Sequence, residues 1–247
     1  MKQTKLLMGM PITIEILDSL ANEKNFNDIW DYFTYVDSKY STYKKSSEIS
    51  KINQGLPKSR WSREMKAVLK LCDQTKTQTG GYFDISRAGQ LDPSGLVKGW
   101  AIYNVAEMLD GRGFENYYID AGGDIQPHGL NTAGKPWSVG IRNPFNRHEI
   151  VKVVAVSSKG VATSGTYIRG QHIYDPHKPG ALVKDVASLT VVGPNIYEAD
   201  RFATAAFAMG RGGINFIESL ADFEGYMIDS NKKATPTSGF SKYEVAA

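Results

Sequence analysis

The chain has 247 residues, 41% of them hydrophobic, which is enough to bury a sizeable core as one large domain or two small ones and argues against long disordered stretches. Its formal charge of +3 comes from 29 basic residues scattered among 26 acidic ones, so there is no basic stripe for nucleic acid, although a mild positive balance suits a phosphorylated ligand. A single cysteine, Cys72, excludes an internal disulfide and a thiolate metal cluster and reads as a small buried apolar residue, and no run reaches the roughly 18 apolar residues of a membrane span.

The start, Met1-Lys2-Gln3-Thr4-Lys5, is basic, but the strand-like Met10-Pro11-Ile12-Thr13-Ile14-Glu15-Ile16-Leu17 follows it in place of an apolar signal core. The expected location of the chain as written is the cytoplasm. A chain from which an export signal had been removed would read the same, which leaves a periplasmic or membrane-anchored location as the alternative. Alternation in 12–16 predicts a strand with one buried face, and Phe26, Ile29, Trp30, Phe33 and Val36 predict an amphipathic helix over 21–39. Residues 41–48 form a polar loop. Met65, Val68, Leu69 and Cys72 mark a second helix over 62–79, closed by Gly80-Gly81.

A third helix is predicted over 97–112 and a short strand over 117–120, running into Gly122-Gly123. Strand candidates follow at 138–142, 151–156, 160–163 and 188–192, separated by Gly, Pro and Asn turns. Helices over 196–209 and 214–220 precede a strand over 223–229, and the polar 231–241 wraps a final strand. No linker or repeat interrupts the chain, so residues 1–247 read as a single compact α+β domain with a largely antiparallel sheet flanked by helices.

Four segments hold residues that packing alone does not call for. In Asp92-Pro93-Ser94-Gly95-Leu96-Val97-Lys98, Asp92 or Ser94 would cap the third helix, and the same helix start with Lys98 one turn on would suit a diphosphate. Asp120-Ala121-Gly122-Gly123-Asp124 is a tight turn or a place where the backbone approaches a ligand closely; it is not a dinucleotide fingerprint. Thr163-Ser164-Gly165 precedes His172-Ile173, and His172 is either structural or the best-placed histidine to accept a proton. Asp200 and Thr204 lie four apart on a helix, where two hard oxygen donors one turn apart suit Mg²⁺, or a solvated Asp beside a Thr bonded back to the helix.

Together with Met8-Gly9-Met10-Pro11, Ser41-Thr42-Tyr43, Ser47-Glu48-Ile49-Ser50, Asn53 and Gly81-Tyr82-Phe83-Asp84, these segments resemble the ApbE family of FAD:protein FMN transferases, from about Met8 to the last strand. The resemblance implies an ApbE-like fold and a Mg²⁺ ion held by Asp200, Thr204 and the carbonyl of Gly95, a position where the family more often has Ala. It implies flavin contacts at Met8, Tyr43, Tyr82, Phe83, Asp84, Asp92, Lys98 and Ile173, with Asp120, Gly122, Gly123, Thr163, Ser164 and Gly165 lining the same pocket. Only seven residues separate Asp84 from Asp92, where the family commonly has a longer insertion, and this puts the pocket rim and the docking surface for a partner in question.

The implied reaction passes the FMN half of FAD to a Thr or Ser hydroxyl of an acceptor flavoprotein and releases AMP. Lys98 and the helix-start N–H groups draw charge onto the phosphate, and His172, with Asp120 or Asp124 behind it, takes the hydroxyl proton. Two rivals share the site: a Mg²⁺-dependent FAD pyrophosphatase and a non-catalytic FAD-binding protein. Family members that hydrolyse efficiently tend to carry a small polar residue where this chain has Tyr43, whose ring would exclude water. A redox flavoenzyme fits less well, because a hydride-transferring flavin needs no metal at its diphosphate.

Overall fold

A computed structural model describes residues 1–165, 173–178 and 181–245, with Arg147 described by its backbone only. In chain order the elements are β1 (Lys2–Leu7), β2 (Met10–Ile16), α1 (Glu23–Tyr40), α2 (Glu48–Asn53), α3 (Arg63–Gln78), β3 (Ser86–Arg87), β4 (Gln90–Leu91), α4 (Ser94–Asp110), β5 (Tyr117–Ala121), β6 (Asp124–His128), β7 (Trp137–Asn143), β8 (Asn146–Val156), β9 (Gly160–Gly165), β10 (Val186–Gly193), α5 (Ile196–Ala208), α6 (Gly213–Glu218), β11 (Glu224–Asp229) and β12 (Ala234–Pro236). Eight strands form one sheet in the order β1-β2-β5-β6-β9-β10-β11-β12, with antiparallel pairings throughout. No described helix is long and apolar enough to cross a membrane.

The sheet separates two cores. Ile12, Ile14 and Ile16 are fully buried with Phe26, Phe33, Ile102 and Phe207 on the helix face, while Thr13 and Glu15 alternate to the other side. Burying each such aliphatic side chain contributes about 1.5–3 kcal/mol. On the opposite face the β7–β8 hairpin covers the sheet, and Val139, Ile141, Val154 and Val156 meet Ile125, Val161, Val192 and Phe240. Helix α4 is buried on most sides, from Leu96 and Val97 to Ala106 and Leu109, because it lies between the sheet, α1 and α5.

The long amphipathic elements sit where their periodicity puts them, and four short ones have no periodic signal. β1 is mostly exposed and carries Lys2 and Lys5 on a sheet edge, so it shows no apolar alternation. α2 is one short helix capped by Ser47, which accepts from the Ser50 N–H. β6 is buried along most of its length and holds Pro127, a residue that argues against a strand. The short stretch between Asp84 and Asp92 folds as the β3–β4 hairpin, with its turn at Ala88 (φ 50°) and Gly89 (φ 78°). Helix α4 begins at Ser94, earlier than the apolar pattern indicates, since Pro93 occupies the cap and Asp92 Oδ1 accepts the Ser94 N–H at 3.0 Å. Ser94 is the first residue of the helix and not its cap.

Candidate active site

The site is built where α4 and α5 cross against the sheet. Asn195 caps α5 by accepting the Glu198 N–H at 2.9 Å, and Gln126 of β6 accepts the Ile196 N–H at 2.8 Å, which ties the start of α5 to the strand carrying Asp124. Two glycines permit the crossing. A Cβ at Gly99 would lie 2.7 Å from Asp200 Cβ and 2.9 Å from the Ile196 carbonyl oxygen, and one at Gly160 would lie 2.1 Å from the Ile196 nitrogen.

The close approach sets the charged floor. Asp200 is buried and its Oδ2 accepts the Gly99 N–H at 2.8 Å, while Lys98 Nζ sits 3.5 Å from Asp200 Oδ1 and forms a closer ion pair with the buried Asp124. Asp124 Oδ1 also accepts the Thr163 N–H at 3.3 Å. Burial pushes the Asp200 carboxyl up to about 7, with Lys98 pulling it down and the neighbouring Asp124 raising it further. Among the described residues, two carboxylates face one ammonium, which leaves the floor one positive charge short. Thr204 lies one turn along α5 from Asp200 and faces Gly95, where an added Cβ would meet Thr204 Cγ2 at 3.3 Å; an Ala fits with a shift of tenths of an ångström. The described residues hold no group of three or more His, Cys, Asp or Glu, so a cation here would rest on a mixed set of carboxylate, hydroxyl and carbonyl oxygens.

Above the floor lies a cavity of 330 Å³. Fourteen of the sequence-predicted residues line it: Tyr43, Tyr82, Phe83, Asp84, Asp92, Gly95, Lys98, Gly122, Thr163, Ser164, Gly165, Ile173, Asp200 and Thr204. Phe83 is fixed by its N–H to Thr79 Oγ1 at 3.0 Å, and Asp84 by Lys76 at 2.7 Å. The Tyr82 ring meets His177 edge-on at 4.6 Å, and His177 Nε2 is 3.0 Å from the Gly80 carbonyl. Tyr43 is 96% exposed on its loop, so its ring stands at the rim without covering the cavity.

Three predicted residues fall elsewhere. Met8 takes the turn between β1 and β2 at φ 53° and packs against the helix-side core. Asp120 and Gly123 line a second cavity of 540 Å³ on the hairpin face, because Ile119 takes the helix face of β5 and strand alternation turns Asp120 to the other side. Asp120 Oδ1 accepts the Gly123 N–H at 2.8 Å, and burial raises its carboxyl above the usual range. His172, expected as the proton acceptor, lies outside the described residues.

The structure also adds wall residues that were not among the expected contacts: Ile85, Arg87, Ser94, Tyr174 and Pro176. Arg87 stands over the Tyr174 ring at 4.8 Å, and the Tyr174 hydroxyl donates to the Ser86 carbonyl at 3.1 Å. Asn53 holds this hairpin through both amide atoms, donating to the Leu91 carbonyl at 2.9 Å and accepting the Leu91 N–H at 2.8 Å. Asp124 is the second floor carboxylate; its position beside a Gly-Gly turn was visible in the sequence, its pairing with Lys98 was not.

The ApbE family model matches residues 8–90 and 86–227. A Vibrio cholerae protein named FAD:protein FMN transferase is 33% identical over 129 residues, 49% of this chain and 39% of that protein. A Haemophilus influenzae protein of the same name is 25% identical over 284 residues, 85% of this chain and 82% of that one. Several relatives are thus matched over well under half their own length. Among solved structures, the flavin transferase ApbE from Vibrio cholerae superposes with a TM-score of 0.86 at 24% identity, covering 98% of each chain. The ApbE protein from Thermotoga maritima gives 0.88 at 20% identity, covering 100% of this chain and 99% of that one, a likeness of fold. With a family model matching across most of its length, and a fold shared from end to end with those structures, this chain belongs to the ApbE family.

Proposed function

We propose that this chain is a Mg²⁺-dependent transferase that moves the FMN half of FAD onto a Thr or Ser hydroxyl of an acceptor flavoprotein and releases AMP. The observation that carries the reading is the cavity floor, where Asp124 and Asp200 share, among the described residues, the ammonium of Lys98 beside Thr204 and Gly95. A buried site with one negative charge in excess favours a divalent cation, and the aromatic wall of Tyr82 and Phe83 suits a planar ring. The names of the relatives support the same reaction class.

A bound Mg²⁺, held by the Asp200 carboxylate, the Thr204 hydroxyl and the Gly95 carbonyl, would supply charge neutralisation at the diphosphate oxygens. Lys98 orients the phosphate and shares its charge with it. The acceptor hydroxyl oxygen bonds to the FMN phosphorus, the bond to the AMP phosphate breaks, and AMP leaves with that electron pair. His172 remains the candidate to take the hydroxyl proton. Little covalent work falls to the protein, so positioning by Gly95, Lys98 and the walls dominates.

One observation favours a second reading: the exposed Tyr43 ring leaves the cavity open, and water in place of the hydroxyl would make the same site an FAD pyrophosphatase. A single experiment separates them. The chain is incubated with FAD, Mg²⁺ and a candidate acceptor, and the acceptor mass is read beside free FMN. Transfer predicts an FMN increment on the acceptor, lost on adding EDTA; hydrolysis predicts free FMN and AMP alone. Because the ring does not cover the cavity, Tyr43→Asn is expected to leave the ratio of free to bound FMN near wild type, and a severalfold rise would make the ring the gate.

A further inference from the structure

The second cavity lies on the hairpin face of the sheet and meets the first at Gly122 and Thr163, which line both. From those residues we infer that it is the groove in which the hydroxyl-bearing segment of the acceptor protein seats, its Thr or Ser side chain entering the first cavity at that junction. The inference rests on the transferase reading above.

Three observations carry it. First, the junction adjoins the charged floor: the Thr163 N–H donates to Asp124, which pairs with Lys98. Second, the backbone between the two cavities carries no side chain at its turn. Gly122 and Gly123 turn with φ 64° and 95°; a Cβ at Gly122 would press on Met10 Sδ at 3.0 Å, whereas one at Gly123 would meet nothing within 4 Å. Third, the walls mix apolar Met10 and Ile150 with Asp120 and Arg142, so both signs of charge face one groove. A polypeptide offers N–H donors and C=O acceptors along its length and can use such a lining.

The reaction adds a requirement of its own. With the dinucleotide in the first cavity, the nucleophile must arrive roughly in line with the departing AMP, and a macromolecular acceptor needs an open groove leading to that point. The second cavity, at 540 Å³, is larger than the first at 330 Å³. The acceptor's O–H loses its proton to a base, its oxygen bonds to the FMN phosphorus, and the phosphorus–oxygen bond to AMP breaks. The groove contributes position only.

The test gives the chain FAD, Mg²⁺ and a library of short capped peptides, each with one central Thr or Ser, and reads FMN–peptide adducts by mass beside free FMN. Ile150→Arg and Arg142→Ala, both at exposed positions, are compared with wild type, and FAD affinity is followed by quenching of flavin fluorescence. We expect adducts with wild type, an apparent peptide KM raised at least about tenfold in both variants, and FAD affinity within about twofold. Equal peptide KM values in the variants overturn the groove. So does a matching loss of FAD affinity, which would assign the cavity to the dinucleotide. A wild type that releases FMN to water and modifies no peptide overturns the transferase reading in favour of hydrolysis, and the groove with it. If wild type neither binds nor cleaves FAD, the transferase reading itself fails, and the groove falls with it.

Discussion

At the scale of single residues, the charge arithmetic at the cavity floor makes a prediction that needs no acceptor. In the metal-free chain burial raises the Asp200 carboxyl to about 7, well above its unfolded value of about 3.9. A raised carboxyl contributes stability that is full below the unfolded value and is lost as pH rises through the folded one. With EDTA present, melting temperature should therefore fall as pH increases through about 7, and Asp200→Asn should flatten that fall, because Asp124 and Lys98 remain a balanced pair. Mg²⁺ should restore wild-type stability most strongly on the alkaline side and do little for the Asn variant. Thermal melts with and without Mg²⁺ check this, and a pH-independent Mg²⁺ increment would count against Asp200 as a ligand. The spacing of Asp200 and Thr204 was readable along the chain, since a helix puts residues four apart on one face. Gly99 was not: its need for hydrogen in place of a side chain arises only because α5 comes within 2.7 Å of where its Cβ would be.

At the scale of elements, the β3–β4 hairpin brings Arg87 into the cavity wall, over the Tyr174 ring. Its turn puts Ala88 at φ 50°, a left-handed conformation that costs an L-residue other than Gly, Asn or Asp about 1–2 kcal/mol. Ala88→Asn should recover part of that, about 0.5–1 kcal/mol, and raise the melting temperature by roughly 1–4 °C. Differential scanning calorimetry measures the shift; a lower melting temperature would mean that the turn is not held left-handed. The long helices α1 and α3 were legible because each shows apolar residues at three- and four-residue spacing, with Asn22 and Ser62 at their starts. The hairpin and α2 were not, because each is too short for a period to repeat. β6 was hidden by Pro127, which the sheet accommodates although a Pro argues against a strand.

At the scale of the whole molecule, the sheet keeps two cores apart and leaves a cavity toward each face, with Gly122 and Thr163 lining both. Phe240 is fully buried in the hairpin-side core, 5.3 Å from the Tyr226 ring, and lines neither cavity. Phe240→Ala should cost about 3–5 kcal/mol and lower the melting temperature by roughly 6–20 °C, while FAD affinity below the transition stays near wild type. Urea unfolding and flavin binding on one sample check both halves; a parallel loss of FAD affinity would mean that the two cores are coupled through the sheet. The α+β class, the main helices and most strands, and the placing of Asp200 and Thr204 on one helix face were determined by the sequence alone, because period and one-turn spacings are local properties of a chain. The pairing of Lys98 with both Asp124 and Asp200 was decided only by the tertiary structure. So was the turning of Asp120 away from Asp124 into a second cavity. Which face a strand residue takes, and which charge meets which, depend on neighbours far along the chain, and those neighbours come together only when the sheet closes under α4 and α5.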